Sequence, residues 1–200
     1  MSDSDKKKWE QRYREGAYQD RTHPSEFLTE WLPRIKEGKF QESSLRALDI
    51  ACSAGRNALF LARQGYEVDA VDISSEALSR AKNSAQEAGL SGITWIEHDL
   101  EQGLPVTCDS YDLIIIIRYL NLPLLKSLSR HLKPEGFLLS EVHMQSDAEV
   151  AGPEDSRFRA EAGELKKAAA GMSIEVYWEG LRDDPDARKM ALARVLARRD

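Results

Sequence analysis

Apolar residues along this chain follow a helical rhythm up to residue 37 and then an alternation of short apolar runs with helical segments. Residues 5–15 predict a short helix in which Trp9 and Tyr13, four apart, share one face. Gly16 stops it, and residues 17–25 carry turn chemistry. Residues 25–37 predict a second helix. Phe27, Leu28, Trp31, Leu32 and Ile35 recur at helical spacing, Ser25 is placed to cap it, and Pro33 to kink or end it. Gly38 to Ser44 reads as a loop.

The alternation then starts. Strands are predicted at 45–50, 67–71, 93–96, 112–117 and 137–143, and helices at 55–64, 75–88 and 121–132. Ser74 or Ser75 caps the helix at 75–88, whose buried face is Ala77, Leu78, Ala81 and Ala85; Gly89 ends it. Lys133-Pro134-Glu135-Gly136 stops the helix at 121–132. Four successive isoleucines, 114–117, mark a strand covered on both faces, and so a largely parallel sheet between helical layers. Strand and helix in regular succession predict a doubly wound α/β domain.

Beyond it, residues 144–160 are polar and irregular, and 161–170 form a modest helix. Residues 172–179 alternate as a strand. Residues 188–198 fit either rhythm: alanine, leucine and arginine favour helix, whereas Met190, Leu192, Arg194 and Leu196 fit period two. The turn Asp183-Asp184-Pro185-Asp186 is compatible with a C-terminal antiparallel hairpin. The organisation is one domain over 1–200, with an N-terminal helical lid segment (1–44), a cofactor-binding core (45–143), and then an insertion, helix and hairpin (144–200).

Composition narrows the function class. At 42% hydrophobic and 31% charged residues, the 200-residue chain is of ordinary globular type with enough core to hold itself together. No apolar run approaches the roughly 18 residues that span a bilayer, and the lysine-rich N-terminus has no apolar stretch behind it. Neither a membrane nor a secretory route is expected. Cys52 and Cys108 show no metal-ligand spacing, so no metal site is expected and a reducing cytoplasm is the expected compartment. A net charge of −6 argues against nucleic acid as partner.

In an open α/β sheet, ligands sit beyond the carboxyl ends of the strands. Asp49, Asp72 and Asp99 lie in or just after the first three strands. Ala51, Ser53, Ala54 and Gly55 follow the first strand, where a ligand must approach the backbone closely. Asp72, 17 residues after Gly55, is placed to accept both hydroxyls of a ribose. The turn has one glycine and lacks the Gly-x-Gly-x-x-Gly of pyrophosphate-binding sites, which favours a ribose-bearing ligand without pyrophosphate over a nicotinamide cofactor.

Several stretches resemble class I S-adenosylmethionine-dependent methyltransferases, in particular the tellurite-resistance and thiopurine methyltransferase-like group. They are Asp49 to Ala62, Gly65-Tyr66-Glu67-Val68, Val71-Asp72-Ile73-Ser74, Tyr111-Asp112-Leu113-Ile114, Arg118-Tyr119-Leu120 and Leu132 to Leu138. The resemblance extends over roughly residues 9 to 199. It implies a Rossmann-like, mostly parallel seven-stranded sheet ending in an antiparallel hairpin, with S-adenosylmethionine as cofactor. It places Asp49 near the methionine ammonium, directly or through water, with the turn of Ala51, Ser53, Gly55 and Asn57 bordering the same group. Asp72 takes the ribose hydroxyls, Ile73 and Leu100 flank the adenine, and Asp99 meets its amino group. Where the family has glycines this chain has Ala51 and Ser53.

For the acceptor end, Arg118 emerges from the isoleucine strand and suits an anionic acceptor, the cofactor carboxylate, or a rim ion pair. His143 and Glu141 end the fifth strand as base or acceptor contacts. Tyr18, Arg21 and His23 can form a lid. Asn121 is a further candidate to face the acceptor, and Arg157 and Arg159 lie in the insertion. Cys52 reads as a packed small residue. No Asn/Asp-Pro-Pro-aromatic run follows the fourth strand. The expected function is methyl transfer to a small-molecule acceptor, anionic or a soft nucleophile; the alternatives are a non-catalytic cofactor-binding or protein-interaction module on the same fold and, disfavoured by the missing glycines, a nicotinamide-dependent oxidoreductase, and the expected assembly is a monomer or weak homodimer.

Overall fold

The apolar runs of 45–143 become five parallel strands in the computed structural model, which describes residues 3–37, 44–105, 110–186 and 188–200. They are β1 (Leu45–Ile50), β2 (Tyr66–Asp72), β3 (Ile93–Glu97), β4 (Tyr111–Ile117) and β5 (Leu132–His143). Two further strands, β6 (Ser173–Asp183) and β7 (Lys189–Arg198), complete one seven-stranded sheet in the order β3-β2-β1-β4-β5-β7-β6. β7 runs antiparallel to both neighbours. The order reverses between β1 and β4, which fixes where a ligand crevice opens.

Helices α1 (Asp3–Arg14), α2 (Glu26–Ile35), α3 (Arg56–Arg63), α4 (Ser75–Glu87), α5 (Leu122–Ser127) and α6 (Glu164–Ala168) accompany the sheet. The isoleucine run shows why two layers are needed. Ile114 and Ile116 face a core built with Leu124, Leu125 and Leu165 from α5 and α6. Ile115 and Ile117 face the other core, with Phe27, Leu28, Leu61 and Leu78 from α2, α3 and α4. Period-two alternation sends successive side chains to opposite faces, and each fully buried isoleucine contributes roughly 1.5–3 kcal/mol.

Five local readings are corrected or resolved. The helix at 121–132 ends early: α5 stops at Ser127, a single 3-10 turn covers Leu128–His131, and β5 starts at Leu132. Lys133 to Gly136 break the pairing with β4 rather than precede the strand, because the register jumps between Leu132 and Phe137. Gly136 is obligatory there: an added Cβ would stand 2.8 Å from the Lys133 carbonyl oxygen and 2.9 Å from that of Tyr111. Ser25 occupies the position before α2 but its side chain does not cap; its backbone N–H donates instead to Asn57 Oδ1 at 2.9 Å.

Residues 188–198 resolve as strand, because β7 is inserted between β5 and β6 and buried along most of its length. Sheet burial here outweighs the helix propensity of alanine and leucine. Ser74, not Ser75, caps α4 through Ala77 N–H at 3.2 Å. The loop expected at 38–43 and the environment of Cys108 lie outside the described residues. Among the described residues, no helix is long and apolar enough to cross a membrane.

Candidate functional site

A cavity of about 700 Å³ opens above the carboxyl ends of β1, β2 and β4, beside the point where the strand order reverses. Its floor is the turn that leaves β1. Cys52 N–H donates to Val71 O at 3.0 Å and Gly55 N–H to Cys52 O at 2.9 Å, so the chain doubles back tightly. Ala51 and Ser53 both take φ of 56°, the left-handed region that glycine occupies without cost. Each strained residue costs about 1–2 kcal/mol, which the surrounding hydrogen bonds hold in place. Gly55 (φ 79°) opens α3, and there a Cβ would collide with the Trp95 ring at 2.7 Å and Ala81 Cβ at 2.8 Å.

Asp72 sits on the cavity wall at the tip of β2 with 7% exposure. Ser53 N–H donates to its Oδ2 at 2.8 Å and Ser74 N–H to its Oδ1 at 2.9 Å. Burial raises its pKa, and the hydrogen bonds from Ser74, Ser53 and Ile73 oppose that rise. Each oxygen keeps a lone pair for a further donor. Two fixed acceptor oxygens on one carbon fit the vicinal hydroxyls of a ribose. Ile73 and Leu100 line the cavity beside it, apolar surfaces suited to a flat base.

Asp49 lies behind the turn rather than on the wall. It is 1% exposed, and its Oδ2 has no hydrogen-bond partner among the described residues. Burial pushes its pKa up to about 7, against the opposing charge of Arg56 and a hydrogen bond from the Ala58 backbone. A buried carboxylate with a spare acceptor is a site where an ammonium is welcome.

The pH consequence has a definite sign. A raised aspartate pKa gives stability that is full below the ordinary aspartate range and lost as pH rises through about 7. Asp49→Asn should therefore flatten the decline in unfolding free energy between about pH 4 and 7, by on the order of 4 kcal/mol. Urea midpoints of both proteins across that range check this. Parallel profiles would remove the assignment.

The remaining predicted residues divide. Asn57, Tyr18, Arg118 and His143 line the same cavity, as do Arg21 and Cys52. Burial first, then Asp72 and Asp49, push the Cys52 thiol well up, and its side chain is packed as expected. Gly55 acts through the backbone turn and is not on the wall. Asp99 is not on it either: its carboxylate accepts Glu101 N–H at 3.0 Å and caps a 3-10 turn, Leu100–Gln102. Asn121 Oδ1 caps α5 through Leu124 N–H at 3.0 Å. His23 offers its carbonyl to Arg56 at 3.0 Å. Arg159 clamps the insertion through Pro153 O at 2.7 Å and Met144 O at 2.9 Å, while Arg157 pairs with Asp155 at the surface.

Arg118 leaves β4 at φ 61°, and its N–H donates to Glu141 O at 2.6 Å. Its Nε reaches Glu141 Oε1 at 3.1 Å, and Arg194 holds the other oxygen of that carboxylate at 2.6 Å. Burial alone would raise Glu141; the charges of Arg118 and Arg194 outweigh it and hold the carboxyl low. Glu141 is thus a permanent anion under the wall and not a base. His143 is buried, with Nδ1 unpartnered among the described residues. Burial first, then the charges of Arg118 and Arg159, lower it to about 4, so it is a neutral imidazole at physiological pH.

The lid residue that sequence reasoning missed is Tyr13. Its hydroxyl donates to Ser53 Oγ at 2.6 Å, which ties α1 to the floor of the cavity. Trp9, Arg12 and Tyr18 complete that side, with Arg12 over the Trp9 ring at 5.0 Å. Glu10 fastens α1 further by accepting Ser75 N–H at 2.7 Å at the start of α4. The signal present in the sequence was the Trp9/Tyr13 face, together with a hydroxyl at Ser53 that needed a partner.

Residues 47–136 match a family model described as a methyltransferase domain. YqeM of Bacillus subtilis (strain 168), a methyltransferase by name, is 31% identical over 134 residues, covering 60% of this chain and 49% of that protein. An uncharacterized RNA methyltransferase of Protochlamydia amoebophila (strain UWE25), pc0248, is 31% identical over 97 residues, or 47% of this chain and 22% of that one. The chain thus spans half or less of the length of these two relatives. Among solved structures, TehB from Haemophilus influenzae superposes with a TM-score of 0.68 at 23% identity, covering 87% of this chain and 66% of that one. At that identity the likeness carries the fold.

Proposed function

We propose that the chain is a class I S-adenosylmethionine-dependent methyltransferase that transfers a methyl group to a small-molecule acceptor, a reading supported by the methyltransferase-domain match over residues 47–136 and by the YqeM relative. One observation carries the site: Asp72, held by Ser53 and Ser74 N–H, opens onto a cavity floored by a left-handed turn. When bound, S-adenosylmethionine supplies a methyl already activated on a sulfonium, which passes to the acceptor as the sulfur keeps the electron pair of the broken bond. The chain's task is then binding, alignment and exclusion of water. Asp72 holds the ribose and Ile73 and Leu100 the base. Asp49 faces the ammonium through the turn.

Arg118, His143 and Tyr18 border the acceptor end. Neutral His143 offers a hydrogen bond to the acceptor; held near pKa 4, it takes up a proton poorly, which suits a nucleophile that is already ionised or soft. The cavity volume lies within the roughly 300–1,000 Å³ of small-molecule sites, and α1 closes one side. That supports a small acceptor over a macromolecule.

S-adenosylmethionine and S-adenosylhomocysteine should raise Tm by about 5–10 °C at a hundredfold excess over Kd, and nicotinamide cofactors should not. No shift at millimolar concentration would sink the reading. With labelled cofactor, the methyl should appear among low-mass products of a cell extract; label confined to RNA or protein would overturn the acceptor class. A second reading, a module that binds without turnover, draws on the Tyr13–Ser53 bond, which closes α1 onto the turn. Tight binding with no product on any acceptor would favour it.

A further inference from the structure

The cavity is lined by Lys8, Arg12, Arg21, Arg56, Arg118 and Arg188, but by only three acids, Asp72, Glu154 and Asp155. In a chain of net charge −6 this is an inversion of sign. Three of these six cations are spoken for. Arg21 and Arg188 share Asp184, at 2.9 and 2.7 Å, and both also reach Asp186. Arg118 is held by Glu141.

Arg56 differs. It is half-buried at the start of α3, and among the described residues it makes no ion pair; its one side-chain hydrogen bond goes to the His23 carbonyl at 3.0 Å. Arg21, Arg56 and Arg118 also line a second, water-sized pocket behind the cavity, so the three stand together in the partition between them. Burial first, then the like charges of Arg118 and Arg21, push Arg56 down to about 10, while Glu141 and Asp49 pull the other way. A guanidinium is being held among other guanidiniums beside open space.

We propose that Arg56, flanked by Arg21 and Arg118, anchors a carboxylate carried by the acceptor molecule. This rests on the cavity being the cofactor and acceptor site. Glu141 is shared by Arg118 and Arg194, and Asp184 and Asp186 by Arg21 and Arg188, so the group keeps net positive charge for an anion. The planar fork of arginine matches a carboxylate in two parallel hydrogen bonds. A carboxylate held this way has its lone pairs engaged. It is the handle, and the methyl goes to another nucleophilic atom of the same molecule.

The test uses the full chain saturated with S-adenosylhomocysteine, titrated calorimetrically with acetate, benzoate and phenylacetate, with their neutral amides, and with inorganic phosphate. At least one carboxylate should bind about tenfold or more tighter than its amide and than phosphate. Arg56→Gln should erase that preference with S-adenosylhomocysteine affinity held within about twofold, and Arg56→Lys should restore part of it. Carboxylates and amides binding alike, or phosphate binding best, would overturn the proposal. So would an Arg56→Gln protein that loses S-adenosylhomocysteine affinity but keeps that for methylthioadenosine, which lacks the amino-acid tail; Arg56 would then serve the cofactor. Failure of the unmodified chain to bind S-adenosylhomocysteine brings down the cofactor site itself, whereas cofactor binding with no carboxylate preference brings down this inference alone.

Discussion

Asp72→Ala should lose cofactor affinity by tenfold or more and destabilise the ligand-free protein at the same time. The binding loss follows from hydrogen bonds to a charged acceptor, each worth about 1.5–3 kcal/mol. The stability loss has a separate origin. Ser53 and Ser74 N–H groups both end on this carboxylate, and without it two backbone donors around a buried site lose their acceptor. At about 1–3 kcal/mol for each orphaned group, the cost is on the order of 2–6 kcal/mol. Asp72→Asn is the sharper variant. Its amide has only one acceptor oxygen, so either Ser53 or Ser74 N–H must face an NH2 group. Calorimetric titration with S-adenosylhomocysteine and urea unfolding separate the two effects. Unchanged affinity in a folded variant would take Asp72 out of the site.

Glu141→Ala should lower stability by about 3–5 kcal/mol, equivalent to a Tm lowered by roughly 6–20 °C. Glu141 is 2% exposed and neutralises Arg118 on one oxygen and Arg194 on the other. Removing it takes the carboxylate from buried Arg194 and leaves Arg118 with Asp184 at 3.8 Å. The pH dependence has the opposite sign to that of Asp49. Glu141 is held low by the two arginines, so its stabilisation is full above the ordinary glutamate range and lost as pH falls through the depressed value. Acid unfolding midpoints of the wild type and of Glu141→Gln should converge as pH drops. A variant within 1 kcal/mol of wild type at neutral pH would show that the arginines find other partners.

Much of this was legible in the chain because local pattern and tertiary role agree. Ile114 to Ile117 have one physical solution, a strand covered on both faces, and Asp72 at a strand tip after a small-residue turn has few other uses. Asp99 has a local use that its place after a strand does not reveal, since a carboxylate two residues before a free N–H can accept it, and here Glu101 N–H is taken. Residues 188–198 were undecidable because burial on both faces erases the alternation that marks a strand. Tyr13 was hidden for another reason. Its partner Ser53 is 40 residues away, and no spacing rule joins a helix-face phenol to a hydroxyl in a distant turn. Arg118 announced its charge but not its carboxylate, which depends on the register that sets Ile117 opposite Glu141.

The position of β7 between β5 and β6 constrains the order in which the chain is assembled. β6 precedes β7 along the chain yet touches the sheet only through it, so β6 emerges during synthesis with nothing to pair against. Until β7 arrives, the nascent chain presents the bare edge of β5, with Phe137, Leu138, Leu139 and Val142 along it. An open apolar edge of that length is a template for pairing with other chains. The interval between translation of β5 and of β7, some fifty residues, is therefore the period in which a ribosome-bound chain is most in need of chaperone cover.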